Sequence, residues 1–162
     1  MRNSRAQILV THTVRIQTIR TQRKVTSMSS NDEMEIRELL DRYATSLADS
    51  DAVAAVAQYA ADGVFYPYNL PTAAGTDQLL TSYRQIFAAI KLDVAFTVRD
   101  VVVDGDLALA TTSSKGQVTV LEPGITTAEQ NREVFVLNRV DGEWKIAHYM
   151  FNKAEAPVVA GS

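Results

Sequence analysis

Tyr43 and His148 are the side chains in this sequence best suited to proton transfer. Tyr43 follows Ile36, Leu39 and Leu40 at helical spacing, so its phenol lies on the apolar stripe of a predicted helix. A buried phenol hydroxyl must find a partner in the protein or in a ligand. His148 is the only histidine outside the N-terminal segment, and an ordinary pKa of about 6.5 suits it to proton transfer near neutral pH. Each residue also has a purely structural interpretation, as part of the core.

Hydrophobic periodicity predicts three helices followed by a set of long strands. The second helix, after Asp51, is expected to include Tyr59 and to stop at Asp62-Gly63, and the third begins after Gly75. Apolar alternation predicts strands over residues 64–66, 94–103, 107–121, 127–139 and 144–152. Glycine-containing turns between the last four predict antiparallel hairpins. Helices followed by a meander favour an α+β domain with the helices on one face of the sheet.

Composition excludes several classes of site. A chain of 162 residues fits one domain with a sizeable core. Without cysteine it has no disulfide, no thiol nucleophile and no cysteine metal site. The sequence contains no phosphate-binding glycine loop or dinucleotide fingerprint. No apolar run approaches the ~18 residues of a membrane span. We therefore expect a cytoplasmic protein without cofactor, metal or membrane contact.

Charge separates the N-terminus from the rest of the chain. Residues 1–27 carry six basic and no acidic side chains, whereas the whole chain has a net charge of −3, so the remainder carries −9. An acidic body without a basic stripe does not favour nucleic-acid binding. We divide the chain into a basic leader (1–30), a folded domain (31–153) and a flexible tail (154–162). The leader could be disordered, upstream sequence before a start at Met28, an organellar presequence, or an additional edge strand.

Several segments resemble one known superfamily. They are Arg42-Tyr43 on the first helix, the break at Asp49-Ser50-Asp51, and the run from Tyr59 to Phe65. These resemble the SnoaL-like superfamily, which includes ketosteroid isomerases, polyketide cyclases, dehydratases and nuclear transport factor 2. The closing sequence from Arg132 to Asn152 is most similar to the SgcJ/EcaC-type group, several of which lie in natural-product gene clusters. The resemblance covers about residues 32–153.

The resemblance implies a cone-shaped fold, with three N-terminal helices packed in a strongly curved antiparallel sheet around a cavity. Alternation then orients the last strand: Lys145 belongs in water, which turns Trp144 and His148 towards the cavity. On the preceding strand the resemblance favours Arg132 facing inward. The other expected lining residues are apolar or aromatic: Phe65, Tyr66, Phe96, Val134, Val136 and Trp144.

The same alternation predicts an apolar outer face of the sheet. Phe135, Leu137, Tyr149 and Phe151 would then lie outside, where proteins of this superfamily usually pair. Four large apolar side chains on one exposed face are rare in a soluble monomer. We therefore expect a homodimer through the outer sheet face.

Residue-by-residue comparison with ketosteroid isomerases argues against the same reaction in this protein. Tyr43 matches their oxyanion donor, but Pro67 stands where their catalytic aspartate would be, and their second acid would fall at or beside Arg132. Steroid isomerisation is therefore not expected. Arg132 has two interpretations: it pairs with a neighbouring carboxylate, or it binds an anionic ligand group.

Two functional hypotheses follow. In the first, Tyr43, His148 and Arg132 form the catalytic site of a cofactor-free cyclase, isomerase or dehydratase that acts on an apolar, carbonyl-containing metabolite. In the second, the protein is a non-catalytic homodimer that binds a small apolar molecule or serves as an accessory subunit.

Overall fold

The computed structural model describes residues 30–154, so the predicted leader and tail lie almost wholly outside the described residues. Its elements in chain order are α1 (Ser30–Ala48), α2 (Ala52–Ala57), β1 (Tyr59–Tyr66), β2 (Ala73–Ala74), α3 (Gly75–Ala89), β3 (Ile90–Asp104), β4 (Leu107–Val120), β5 (Ile125–Val140) and β6 (Glu143–Lys153). Three helices packed against a curved sheet confirm the predicted α+β class.

The sheet has six strands in the order β2-β1-β6-β5-β4-β3. All neighbours are antiparallel except β1 and β6, which run parallel. The pairing of β3 with β4 passes through Gly116, where an added Cβ atom would overlap the Asp93 carbonyl oxygen. The close approach of these two strands therefore requires glycine at this position.

A β-bulge in β6 determines which of its side chains face inward. Val136 of β5 pairs with His148, but the next residue, Leu137, pairs with Ile146, which leaves Ala147 as an extra residue. The bulge shifts the alternation by one residue. Ile146 and Tyr149 are therefore both buried, while His148 between them is exposed.

The predicted assignment of faces is wrong on β5 and on β6 beyond the bulge, whereas Trp144, which precedes the bulge, is buried. Phe135 and Leu137 are fully buried, Tyr149 is buried and Phe151 is half-buried against the core, so the inner face carries the residues expected outside. Burial of these four large apolar side chains stabilises the fold. The bulge lets Tyr149 and Phe151 face inward although Lys145, earlier on the same strand, faces outward.

The second helix is shorter than predicted. Asp51 caps it by accepting a hydrogen bond from the Ala54 amide (2.9 Å). It ends at Ala57, and Tyr59 begins β1 instead of extending the helix. The reason is tertiary: the Ile146 amide donates to the Gln58 carbonyl oxygen (2.9 Å), which ties this backbone into the sheet.

The core lies between α1 and the concave sheet face. The predicted stripe of α1 is buried, with Ile36, Leu39, Leu40 and Tyr43 each at most 1% exposed. Along residues 30–154, none of the helices is both long and apolar enough to span a membrane.

Candidate active site

A cavity of about 840 Å³ opens between α3 and the concave face of β3, β4 and β5. This volume is within the range of small-molecule sites. Its walls come from α1, α3, β1, β3–β6 and the segment 67–72, and most of them are apolar or aromatic. The most deeply buried of its polar groups are a set of phenols and a carboxyl.

Three phenol hydroxyls form a hydrogen-bonded chain at the closed end of the cavity. The Tyr83 hydroxyl lies 2.6 Å from that of Tyr43 and 2.7 Å from that of Tyr59. Burial, and then the neighbouring phenols Tyr83 and Tyr149, raise the pKa of Tyr43 well above 10.0. The pKa values of Tyr59 and Tyr83 are likewise raised, chiefly by burial. At neutral pH these groups are therefore protonated hydrogen-bond donors and not bases.

The direction of this chain decides what Tyr43 can do. Three hydroxyls share two hydrogen bonds, so one proton is left over. Tyr43 and Tyr83 line the cavity. When Tyr59 donates to Tyr83 and Tyr83 donates to Tyr43, the remaining proton is on Tyr43. A ligand oxygen at the closed end can then accept it.

Glu133 supplies a carboxyl group on the cavity wall. It is 2% exposed and is the only acidic or basic side chain that is buried among residues 30–154. The Thr112 hydroxyl donates to its Oε2. Burial raises the pKa of the Glu133 carboxyl above its ordinary 4.5, although hydrogen bonds from Ser114 and Thr112 oppose the shift. Such a carboxyl is suited to exchange a proton with a bound ligand.

A polar strip continues from Glu133 along the same wall. Asn131, oriented to satisfy its neighbours, donates to Glu129 Oε1 (3.1 Å), and its side-chain oxygen lies 3.2 Å from the Ser114 hydroxyl. Glu129 Oε2 in turn pairs with Lys153 Nζ at 3.1 Å. All of these residues line the cavity and form one polar strip on its β5 side, while further polar side chains, among them Asp77, Gln78 and Gln85, line it from α3.

The structure separates the three residues predicted to act together. Tyr43 lines the cavity. His148 is exposed on the outer sheet face, where its Nδ1 lies 3.2 Å from the Tyr66 hydroxyl. Arg132 is also exposed and its Nε donates to Asn152 Oδ1 (3.1 Å). The predicted inward orientation of His148 and Arg132 is wrong. The bulge at Ala147 turns His148 to the outer face, and the burial of Phe135 on β5 leaves Arg132 on the outer face of that strand.

The predicted ligand-binding residues divide in the same way. Phe65 and Phe96 line the cavity. Val134 and Val136 face outward with Arg132, and half-buried Tyr66 stacks beside His148, so their predicted orientation is wrong. Trp144 is buried but lies outside this cavity, with the Arg139 guanidinium 4.4 Å from its ring.

Sequence reasoning missed Glu133 and Tyr149. The signal was present in β5, where Glu133 alternates with Phe135 and Leu137. A strand face with two such large apolar groups is the one to bury, which would have placed Glu133 inside. For Tyr149 no local signal reveals the bulge.

Comparisons with known proteins agree with this fold. The family model of the SnoaL-like domain matches residues 36–151. A ketosteroid isomerase-like protein from Erwinia carotovora atroseptica is 27% identical with a TM-score of 0.75, over 78% of this chain and 99% of that chain. A candidate dehydratase of the NTF2-like family from Streptomyces avermitilis is 18% identical with a TM-score of 0.67, over 78% and 99% of the two chains.

Another similar structure has no assigned activity. An NTF2-like protein of unknown function from Pseudomonas putida is 20% identical with a TM-score of 0.64, over 81% of this chain and 92% of that chain. No curated protein matches this chain.

Replacing Tyr83 with phenylalanine tests the phenol chain. Tyr83→Phe removes the central hydroxyl and leaves those of Tyr43 and Tyr59 without their shared partner, so we expect the free energy of unfolding to fall by about 1–3 kcal/mol. Tyr66→Phe is the control, because it removes a hydroxyl bonded at the surface, and a change within about 0.5 kcal/mol is expected. Urea denaturation measures both. Equal losses of unfolding free energy in the two variants would contradict the hydrogen-bonded chain of phenols.

Glu133→Gln tests the burial of the carboxyl. Because the folded-state pKa is raised, the wild type loses stability as the pH rises above the ordinary 4.5 and through the folded pKa, whereas glutamine cannot ionise. The stability of Glu133→Gln relative to wild type should therefore increase over that pH window and then level off. Melting temperatures of both proteins from pH 3 upward provide the measurement. A difference in melting temperature between the two proteins that does not change with pH would contradict the raised pKa of Glu133.

Proposed function

This chain belongs to the SnoaL-like domain family, and on that premise we propose that it is a cofactor-free enzyme that transfers a proton on an apolar, carbonyl-containing metabolite. The observation that carries the proposal is Glu133, a buried carboxyl with a raised pKa on the wall of an otherwise largely apolar cavity. The similar ketosteroid isomerase-like protein and candidate dehydratase support this class of chemistry.

Glu133 and Tyr43 are given separate roles. As its carboxylate, Glu133 takes a proton from the carbon next to the ligand carbonyl, and the electron pair of the broken C–H bond moves to the carbonyl oxygen as an enolate forms. The Tyr43 hydroxyl donates a hydrogen bond to that oxygen. Return of the proton from Glu133 to another carbon of the enolate completes an isomerisation. In a β-hydroxy carbonyl compound, the enolate instead breaks the C–O bond and Glu133 gives its proton to the departing hydroxyl, which leaves as water and completes a dehydration.

The positions of the two groups fit this division. Glu133 lies one same-face position along β5 from Phe135, a separation of about 7 Å between their Cα atoms. The Phe135 ring is 5.8 Å from that of Tyr43. Glu133 and Tyr43 line the same cavity, so one ligand can contact the two groups. Tyr43 remains a site residue, as predicted from the sequence. Glu133 takes the proton-transfer role expected of His148, and Arg132 has no part in this mechanism.

A non-catalytic binding protein is the second candidate. It is favoured by the fact that the polar groups already have partners within the protein, Glu133 through Thr112 and Tyr43 through Tyr83. In this case the cavity would hold an apolar ligand unchanged. A role in natural-product metabolism, as in the SgcJ/EcaC-type group, belongs to either candidate and rests on the sequence from Arg132 to Asn152.

We also propose that two copies of the chain pair through the outer sheet face. Two cross-strand rows on this face are largely apolar: Val64, His148, Val136, Leu109 and Val102 in one, and Tyr66, Met150 and Val134 in the other. Met150 is 54% exposed and Val134 43%. The second row continues through Thr111 to Asp100, so the apolar part of the face is flanked by charged side chains and is the part that a second copy would cover.

Hydrogen–deuterium exchange tests the enzymatic role directly. An aryl alkyl ketone incubated with the protein in D₂O should gain deuterium beside its carbonyl faster than in buffer, as followed by NMR. Glu133→Gln should slow this exchange by ~10²–10⁴, the usual loss for an acid–base group. Glu38→Gln is the matched control, since Glu38 is exposed on α1 and lies outside the cavity. Ketone binding without faster exchange would favour the binding protein instead.

Val134→Asp tests the pairing. Val134 is exposed in the single chain, so a charge there should leave the fold intact but make association unfavourable. Sedimentation should give a dimer for the wild type and a monomer for this variant. Val53→Asp, a matched change at an exposed residue of α2, should remain dimeric. A wild-type monomer at micromolar concentration would disprove the interface.

A further inference from the structure

The hydroxyl of Tyr149 is open to the cavity. The hydroxyls of the phenol chain are joined to one another by hydrogen bonds of 2.6 and 2.7 Å, but within residues 30–154 that of Tyr149 makes no hydrogen bond of comparable geometry. Nor is it sealed in the core, because the one buried side-chain nitrogen or oxygen that lacks a partner in this part of the chain is Trp144 Nε1. Tyr149 lines the cavity, so its hydroxyl is available to a ligand.

Neighbouring strands hold the Tyr149 ring in place. In the sheet it lies between Phe65 of β1 and Phe135 of β5, which are its direct partners. The three rings are nearly parallel, with centres 5.2 Å apart on the Phe65 side and 4.2 Å apart on the Phe135 side. Both ring faces are therefore covered, and the end of the ring that carries the hydroxyl is left for contact with a ligand. A donor fixed in this way loses little side-chain freedom when a ligand binds.

Tyr149 lies near the two groups of the proposed mechanism. Phe135 pairs with Tyr149, and Glu133 is the next inner-face residue along β5, so Glu133 and Tyr149 are diagonal neighbours, with Cα atoms about 7–8 Å apart. The Tyr43 ring meets that of Tyr149 edge-on, with centres 5.5 Å apart. Burial raises the pKa of Tyr149 well above 10.0, the negative charge of Glu133 raises it further, and a weaker polar contact with Tyr43 opposes the rise. At neutral pH Tyr149 is therefore protonated and can donate.

This position suits a donor to the reacting carbonyl group. The carbonyl oxygen and the carbon that loses a proton are two bonds apart, so a donor to that oxygen must lie near the base. A carbonyl or enolate oxygen can accept two hydrogen bonds at once. Tyr43 supplies one of them in the proposed mechanism, which leaves the second lone pair of the oxygen for Tyr149.

We propose that Tyr149 is a further catalytic residue, whose hydroxyl donates a second hydrogen bond to the carbonyl oxygen of the ligand. When Glu133 takes the proton from the adjacent carbon, negative charge develops on this oxygen and both phenols stabilise it, while each phenol keeps its own proton. The inference rests on the proposed function, since it adds a donor to the same site.

Tyr149→Phe removes the hydroxyl and keeps the ring. With acetophenone as the substrate in D₂O, this variant of the full-length protein should exchange the methyl protons ~10²–10³ more slowly than wild type at saturation, as for a lost oxyanion donor, with KM changed much less. Its melting temperature should stay within about 2 °C of wild type, because no hydrogen bond of normal geometry is lost. Tyr66→Phe is the matched control, since its hydroxyl lies on the outer sheet face beside His148, and should exchange at the wild-type rate. An unchanged rate in Tyr149→Phe would overturn the proposal.

Infrared spectroscopy of bound acetophenone, labelled with ¹³C at its carbonyl carbon, detects the hydrogen bond itself. Each hydrogen bond to the oxygen lowers the carbonyl stretching frequency. The band should therefore lie at higher frequency in Tyr149→Phe than in wild type, and should stay in place in Tyr66→Phe. If Tyr149 donated to Glu133 instead, its loss would shift the pH profile of exchange and leave the band in place, which would disprove the contact with the ligand.

A double variant distinguishes a direct contact from an effect through Tyr43. If Tyr149 contacts the ligand itself, the combination of Tyr43→Phe with Tyr149→Phe should exchange more slowly than either single variant. A double variant no slower than Tyr43→Phe would mean that Tyr149 only positions Tyr43, and would overturn its catalytic role.

The second hydrogen bond and the proposed function fail in different ways. If Glu133→Gln abolishes exchange but Tyr149→Phe changes neither the rate nor the carbonyl band, the second donor alone is disproved. If the band shifts in Tyr149→Phe although wild-type protein exchanges acetophenone no faster than buffer, the hydrogen bond is supported and the enzymatic role is disproved.

Discussion

The packing of the Tyr43 ring joins the helices of this protein to its sheet. The ring is 1% exposed and makes edge-on or tilted contacts of 5.5–6.4 Å between ring centres with aromatic side chains from five other elements. Those partners are Tyr59, Tyr83, Phe96, Phe135 and Tyr149. Contacts of this kind stabilise beyond the area they bury. The Tyr43 ring therefore connects α1 to five other elements at once and forms part of the closed end of the cavity.

Burial that stabilises this cluster also fixes its protonation. Desolvation raises the pKa of each phenol and keeps it a donor, and the same effect favours the neutral form of Glu133. The same burial therefore leaves the phenols as hydrogen-bond donors and Glu133 as a group that can exchange a proton, because the ordinary pKa of a phenol is far higher than that of a carboxyl. The neighbouring hydroxyls of Thr112 and Ser114 moderate the shift at Glu133, which keeps its carboxylate accessible for proton transfer.

The curved sheet has two faces with different uses. Its concave face holds the aromatic core, the polar strip and the cavity. Its convex face carries exposed apolar side chains such as Met150 and Val134, which suit association and not catalysis. Because successive residues of a strand alternate between the faces, a single bulge transfers every later residue of that strand from one role to the other.

The sequence by itself determined the α+β class, the buried stripe of α1 with Tyr43, and the hairpin turns, because helical periodicity and turn residues are local signals. Pro67 likewise excluded a catalytic aspartate at that position. Only the tertiary structure decided which face of β6 is the inner one beyond the bulge. Ala147 carries no residue-type signature of a bulge, and its extra residue in the pairing with β5 places His148 outside and Tyr149 inside. On β5 the alternation of Glu133 with Phe135 and Leu137 already indicated the inner face, but only the cavity enclosed by the packed helices and strands made Glu133 a candidate base, because a cavity depends on contacts between segments far apart in the sequence.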